Sequence, residues 1–263
     1  MRPDAAFSHG TAAAIRGLPL PLYLPGASLH VSIPHGRRPP EGVGIIGHEV
    51  ALRLWDARDF VHRDFARDAM FALPIVSAGL MWAQLAGGLD LDDLVAVGDA
   101  LVSGPDPFAT VEELRLWVTA WRGNRGSRML RRAAADIRSG PLSRPESLIR
   151  LQMMRAGIPE PRLNVRVTGP TGDDLALTDL CWPEDGTLVE YEGDYHRSSK
   201  AKFRSDITRM EMFADGGWAG LRAHADDVFG DPNPFIARLW RRLEARGWRP
   251  TAAGPARVPP ARR

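Results

Sequence analysis

Apolar residues change their spacing along this chain in a way that separates short strands from helices. SHGTAAAIRG (Ser8 to Gly17) carries helix-forming alanines and a closing glycine, so it predicts a short helix before a Pro-rich connector. LHVSIP (Leu29 to Pro34) alternates with period two and predicts a strand, and VGIIGHEVAL (Val43 to Leu52) predicts another. From Pro74 to about Gly140 the apolar positions recur at intervals of three and four. That spacing predicts helices over PIVSAGLMWAQLAG, LDDLVAVGDALV, TVEELRLWVTAW and SRMLRRAAADIRSG. The most apolar run, Met70 to Gly88, is interrupted by Pro74, Ser77, Gly79 and Gln84, and predicts a buried helix rather than a membrane span.

A second pattern starts at PLSRPESLIRLQMMRAGIP. Ser143 stands three residues before Glu146, a capping-box signature, with Pro145 in the first turn and Gly157 and Pro159 at the far end. Strand-like LNVRVTG (Leu163 to Gly169), a Gly172-Asp173 turn and two further strands follow. A helix from about Ser199 to Ala214 carries Phe203, Ile207, Met210 and Ala214 as its apolar stripe and stops at Gly216-Gly217. WAGLRAHA predicts a short strand, and PNPFIARLWRRLEARG a closing amphipathic helix. The expected order is α-β-β-β-α-β-α over residues 141–249, after an α+β module over residues 1–140. The Pro- and Arg-rich tail, residues 250–263, predicts a disordered basic segment.

The chemistry concentrates in TDLCWPEDGTLVEYEGDYH (Thr178 to His196), which reads as two strands joined at Pro183-Glu184-Asp185-Gly186. Strand alternation places Leu188, Glu190 and Glu192 on one face and Val189 and Tyr191 on the other. With Asp179 opposite, these carboxylates repel. Unit charges ~4–5 Å apart cost roughly 3–4 kcal/mol at an effective dielectric near ~20. A divalent cation with oxygen ligands offsets such a cost, and a solvated acidic hairpin face is the alternative.

Composition narrows the setting. Net charge is +2, and of 34 basic residues only Lys200 and Lys202 are lysines, the rest being arginine. Arginine suits phosphate recognition, but abundant Arg, Ala, Gly and Pro also follow from a G+C-rich genome. The functional reading therefore rests on local clusters. The stretches Arg128–Arg138 and Arg238–Arg246 are expected to lend basic surface near the acidic site. Cys181 is the one cysteine, which excludes a disulfide framework or cysteine zinc cluster and fits the cytoplasm. No secretory signal pattern opens the chain. His9 and His48 show no metal-like spacing and receive no role.

SRPESLIRL, TDLCWPEDGTLVEYEGDYHR and FRSDITRMEMFADGGW, in that order, resemble the PD-(D/E)XK restriction-endonuclease-like superfamily. The branch they look most like is that of very-short-patch-repair endonucleases, together with actinobacterial endonuclease-domain proteins. The front of the chain, through FSHGTAAAIRGLPLP, LHVSIP and LDDLVAVGDALV, is similar to the middle of AbiEi-type antitoxins of type IV toxin–antitoxin systems. Such relatives usually open with a winged helix; this sequence starts after the place where it would lie, so that DNA reader is expected to be missing or lost to start-site choice.

The resemblance implies an α/β fold, with a restriction-endonuclease-like αβββαβ core and Mg²⁺ (or Mn²⁺) as cofactor. It places Asp179 and Glu190 as metal-binding acids and Glu192 where lysine is usual. Glu146 matches the acid of the preceding helix, although the capping box alone also accounts for it. His196 follows as an acid or base candidate, and Asp206 with Arg209 matches a downstream D-x-x-R, which is equally an ordinary helix pair. Arg209, Lys200, Arg197 and Arg204 are the candidate DNA contacts. Two functions follow as expectations. One is a metal-dependent DNA endonuclease. The other is a non-catalytic DNA-binding or toxin–antitoxin-type regulator that keeps the fold as a scaffold. DNA is the expected partner, with no membrane association and with a homodimer or a toxin/antitoxin partner as further candidates.

Overall fold

The structure is a computed structural model describing residues 4–24, 26, 28–64, 69–193 and 200–263; within these, the side chains of 62–64, 69, 71 and 200–207 are not described. The chain divides into two compact units, Met1–Ser139 and Gly140–Arg263. Each contains helices and a mixed sheet, giving an α/β protein. Among the described residues no helix is long and apolar enough to cross a membrane.

The first unit runs β1 (Ala6–Phe7), α1 (His9–Ile15), β2 (Leu29–Pro34), β3 (Ile45–Val50), β4 (Ala57–Asp64), β5 (Ala69–Val76), α2 (Ala78–Leu85), α3 (Leu91–Val102), α4 (Val111–Ala120) and α5 (Ser127–Asp136). Its sheet has the order β3-β2-β1-β5-β4, with β2–β3 and β1–β5 parallel. The apolar run from Met70 is not one helix. It is the strand β5 followed by α2, and Ser77 divides them by accepting the Leu80 N–H as N-cap. Periodicity cannot separate a strand from a helix in a near-continuous apolar stretch. Its strand partner, β4, carries no clear apolar alternation and has no counterpart among the expected elements. Gly79 lets α2 approach α4, since a Cβ there would stand 1.9 Å from the Trp117 ring.

The second unit has the expected order: α6 (Arg144–Arg155), β6 (Arg162–Thr168), β7 (Asp174–Trp182), β8 (Thr187–Glu192), α7 (Lys200–Asp215), β9 (Ala219–His224), a short unforeseen α8 (Ala225–Phe229) and α9 (Asn233–Arg246). The sheet order is β6-β7-β8-β9, antiparallel except for the parallel pair β8–β9. The β7–β8 turn works because Gly186 adopts φ 52°, in the left-handed region. Alternation along β8 sorts the core. Val189 and Tyr191 pack with Leu148 and Ile149 of α6 and Phe235 and Leu239 of α9. Leu188 packs with Cys181 and Phe213, the latter from α7.

The tail is not disordered. Val258 is 6% exposed and joins the α6–α9 core. The side-chain amide of Asn233 both donates to the Val258 carbonyl (3.1 Å) and accepts its N–H (3.0 Å), as a neighbouring strand would. Ala256 and Ala261 donate to the carbonyls of Ala156 and Val228. Composition suggests that this segment cannot bury enough apolar surface by itself. The explanation is that it borrows a core and backbone partners from elements distant in sequence.

Candidate active site

Regular pairing of β7 with β8 covers Trp182–Thr187, Cys181–Leu188 and Leu180–Val189, and then stops. Beyond it two backbone donors need other acceptors. The Asp179 N–H donates to Glu190 Oε1 (3.2 Å), and the Tyr191 N–H donates to Asp179 Oδ2 (2.8 Å). Each carboxylate thus accepts a donor of the opposite strand, which fixes both acids at the point where the strands part. Both line a cavity of about 400 Å³, together with Glu146, Glu192, Arg209 and Arg222.

The electrostatics are those of an overcrowded acidic site. Asp179 is pushed up to about 7, first by burial and then by the charges of Glu190 and Glu146; the Tyr191 N–H and Arg209 oppose the shift. Burial raises Glu190 as well, although Arg209 Nη2 lies 2.7 Å from its Oε2. Arg209 also donates to the Leu177 carbonyl and lies 5.5 Å over the Phe213 ring. One arginine does not relieve two half-buried acids, and perturbed acids in a cleft mark a functional-site candidate.

Glu146 reaches the cavity, but its oxygens are engaged. Oε1 accepts from the Ser143 hydroxyl (2.7 Å), and Oε2 accepts from the Leu142 N–H and the Asn164 amide (both 2.9 Å). Its contribution to the site is its charge. Glu192 faces Arg222 Nη1 at 3.4 Å and His224 Nδ1 at 3.9 Å. Arg222 stands opposite Glu190 in the parallel β8–β9 register and is absent from the sequence candidates. The available signal was one cation inside the small, mostly apolar strand AGLRAH.

Two of the sequence candidates, His196 and Arg197, lie outside the described residues, as do the side chains of Lys200, Arg204 and Asp206. The basic face of α9 does not supply the expected surface beside the acids. Arg246 donates to the backbone carbonyls of Asp185, Gly186 and Gly217, and Arg238 pairs with Asp227 (3.7 Å). The α9 helix packs on the Val189 and Tyr191 side of the sheet, and none of its arginines lines the cavity.

The first unit holds a constellation that sequence spacing hid. His9, His30 and His48 stack with ring centroids 3.9–5.3 Å apart, and His30 Nδ1 lies 2.9 Å from His48 Nε2. They come from a helix and two strands, so no local motif joins them. Burial first, then His48 and His30, push His9 down to about 3; burial and then His30 push His48 to about 4, and burial lowers His30 too.

A folded-state value below the ordinary 6.5 means that the unfolded chain takes up protons first. Stability of this unit is therefore intact above that value and falls as pH drops toward 4. The slope approaches ~1.4 kcal/mol per pH unit for each histidine. Thermal melts between neutral and acidic pH test this: His48→Gln should show a shallower decline than the wild type, and identical slopes would contradict it.

No family model matches the chain. It is 30% identical over 132 residues to two Mycobacterium tuberculosis proteins, "Uncharacterized protein MT2308" and "Uncharacterized protein Rv2248", each from a different strain. The match covers 50% of this chain and 48% of each relative, so the chain spans about half the length of the curated relatives it matches.

Proposed function

We propose that the second unit hydrolyses phosphodiester bonds in DNA, in the cytoplasm, using a divalent cation held by Asp179 and Glu190. The observation that carries this reading is the convergence of these two half-buried carboxyls, both pushed above their ordinary range, on one cavity beside Arg209 and Arg222. Crowded acids of this kind suit Mg²⁺ or Mn²⁺, hard ions that take oxygen ligands. When bound, such an ion polarises a phosphoryl oxygen and lowers the pKa of attacking water.

The chain's own residues supply the remainder. Glu146 adds negative charge without giving up its hydrogen bonds. Arg222 provides the positive charge that Glu192, standing at the family's lysine position, lacks, and Glu192 holds that guanidinium toward the cavity. Arg209 offers a second cation for phosphate once a metal competes for Glu190.

The test is nicking of supercoiled, linear, single-stranded and branched DNA by purified protein with Mg²⁺, Mn²⁺ or chelator. Cleavage dependent on metal, with binding that weakens steeply with salt, is the expected result. The 2.7 Å Glu190–Arg209 pair favours a second reading, because it already neutralises one acid. If no DNA form is cut and Mg²⁺ does not stabilise the protein, the unit is a non-catalytic DNA-binding or regulatory scaffold.

A further inference from the structure

We propose that His9, His30 and His48 form a binding site for a divalent transition-metal ion, zinc by preference, in the first unit. One ring nitrogen from each lies within 4.8 Å of the others. Three neutral imidazoles are a donor set that suits zinc and its neighbours and not Mg²⁺, which prefers oxygen. This site therefore differs in chemistry from the carboxylate cavity of the second unit and does not depend on it.

The fold builds the cluster from three directions. In the parallel β2–β3 pair, His30 stands opposite Ile46 and His48 opposite Ser32, so the two histidines occupy one face, two residues apart in register. The start of α1 is tied over that face: the Ser8 N–H donates to the His30 carbonyl (3.0 Å), and the His30 N–H donates to Thr11 Oγ1 (2.8 Å). His9 then has φ 49°, in the left-handed region that disfavours a non-glycine residue. Buried Gln84 holds it there, accepting the His9 N–H (3.2 Å) and donating to Ser32 Oγ (3.1 Å). Such strain, stabilised by a buried polar link, brings the His9 ring to 3.9 Å from that of His48.

The ligand atoms follow from the contacts. Fully buried Ser8 places its hydroxyl 3.0 Å from His9 Nδ1, which orients the ring as an outer-shell partner does and leaves Nε2 for the ion. His30 Nδ1 and His48 Nε2, 2.9 Å apart, share one proton between them. On a tetrahedral zinc with bonds of ~2.0–2.1 Å, two nitrogens stand roughly 3.3 Å apart. Binding thus needs a small opening. The donating ring shifts its proton to its other nitrogen, with no net charge change, and the rings turn about Cβ–Cγ out of their stack. The fourth position remains open to the adjoining cavity of about 430 Å³, which Trp121 and Arg125 also line.

The test titrates chelator-stripped full-length protein with Zn²⁺ alone, read by calorimetry, and with Co²⁺, read by visible absorption. With Mg²⁺ in excess to fill the carboxylate cavity, one equivalent per chain is expected, with the intense bands of four-coordinate cobalt. His9→Gln and His48→Gln should each weaken binding by more than the roughly 10–100-fold typical of losing an outer-shell partner. Asp179→Asn should leave this binding unchanged. In the wild type, the three histidine ring resonances should shift on adding Zn²⁺, a readout that holds even if a variant fails to fold. The proposal is overturned by the absence of binding, by retention in both histidine variants, by loss in Asp179→Asn, or by unshifted histidine resonances.

Discussion

Asp179→Asn is expected to stabilise the metal-free protein above neutral pH while abolishing both metal stabilisation and DNA cleavage. The ordinary carboxyl value of 3.8 rises to about 7 at this residue, through burial and the charges of Glu190 and Glu146. A raised folded-state value means that the group's contribution is present at low pH and is lost as pH rises through about 7. At ~1.4 kcal/mol per pH unit, the ionised acid costs the fold up to roughly 4 kcal/mol. Asparagine has nearly the same volume, still accepts the Tyr191 N–H through its carbonyl, and carries no charge, so the cost disappears. The metal response should disappear with it. A ligand binding only the folded state adds about 2.7 kcal/mol at a hundredfold excess over its dissociation constant. Melts in chelator and in Mg²⁺ or Mn²⁺ on both sides of neutrality decide the matter. A variant that melts below the wild type at alkaline pH without metal would overturn the charge argument, and one that keeps the Mg²⁺ response would rule Asp179 out as a metal ligand.

What the sequence made legible is local. The capping serine at Ser143, the Gly186 turn and the alternation along TLVEYE each report chemistry within a few residues, and these elements stand where expected. The acids Asp179 and Glu190 were readable because the hairpin that joins them is short. Arg222 and the three histidines were not, because strand pairing and helix docking bring them to their partners from far along the chain. The β5–α2 run misled for a different reason: MFALPIV is apolar at every position, so it carries no alternation to identify a strand, although Met70 is exposed in β5. The C-terminal segment misled because a proline-rich stretch can be ordered by another element's polar groups, here the donor and acceptor of the Asn233 amide. The charge on α9 was visible, but its use was not, since three backbone carbonyls occupy Arg246.

Arg222→Met is expected to lower the cleavage rate by about 10²–10³-fold, the usual loss when one preorganised donor to developing charge is removed. The argument starts from Glu192, which stands where the family resemblance places a lysine and pairs with Arg222 across β8 and β9 at 3.4 Å. Phosphoryl transfer accumulates negative charge on the equatorial oxygens, and a carboxylate cannot stabilise it. Arg222, which lines the same cavity as Asp179 and Glu190, is the cation positioned to do so. Glu192→Gln should cost less, because a neutral amide still accepts from the guanidinium and the positive charge remains. Exchanging the two charges, Glu192→Lys with Arg222→Glu, keeps the pair and puts a cation at the lysine position. That double variant should recover much of the activity lost in Arg222→Met. A lone electrostatic role in folding predicts the opposite pattern: all three variants would track thermal stability, and rates corrected for the folded fraction would match the wild type. Single-turnover cleavage measured alongside melting curves separates the two, and equal corrected rates would remove Arg222 from the chemistry.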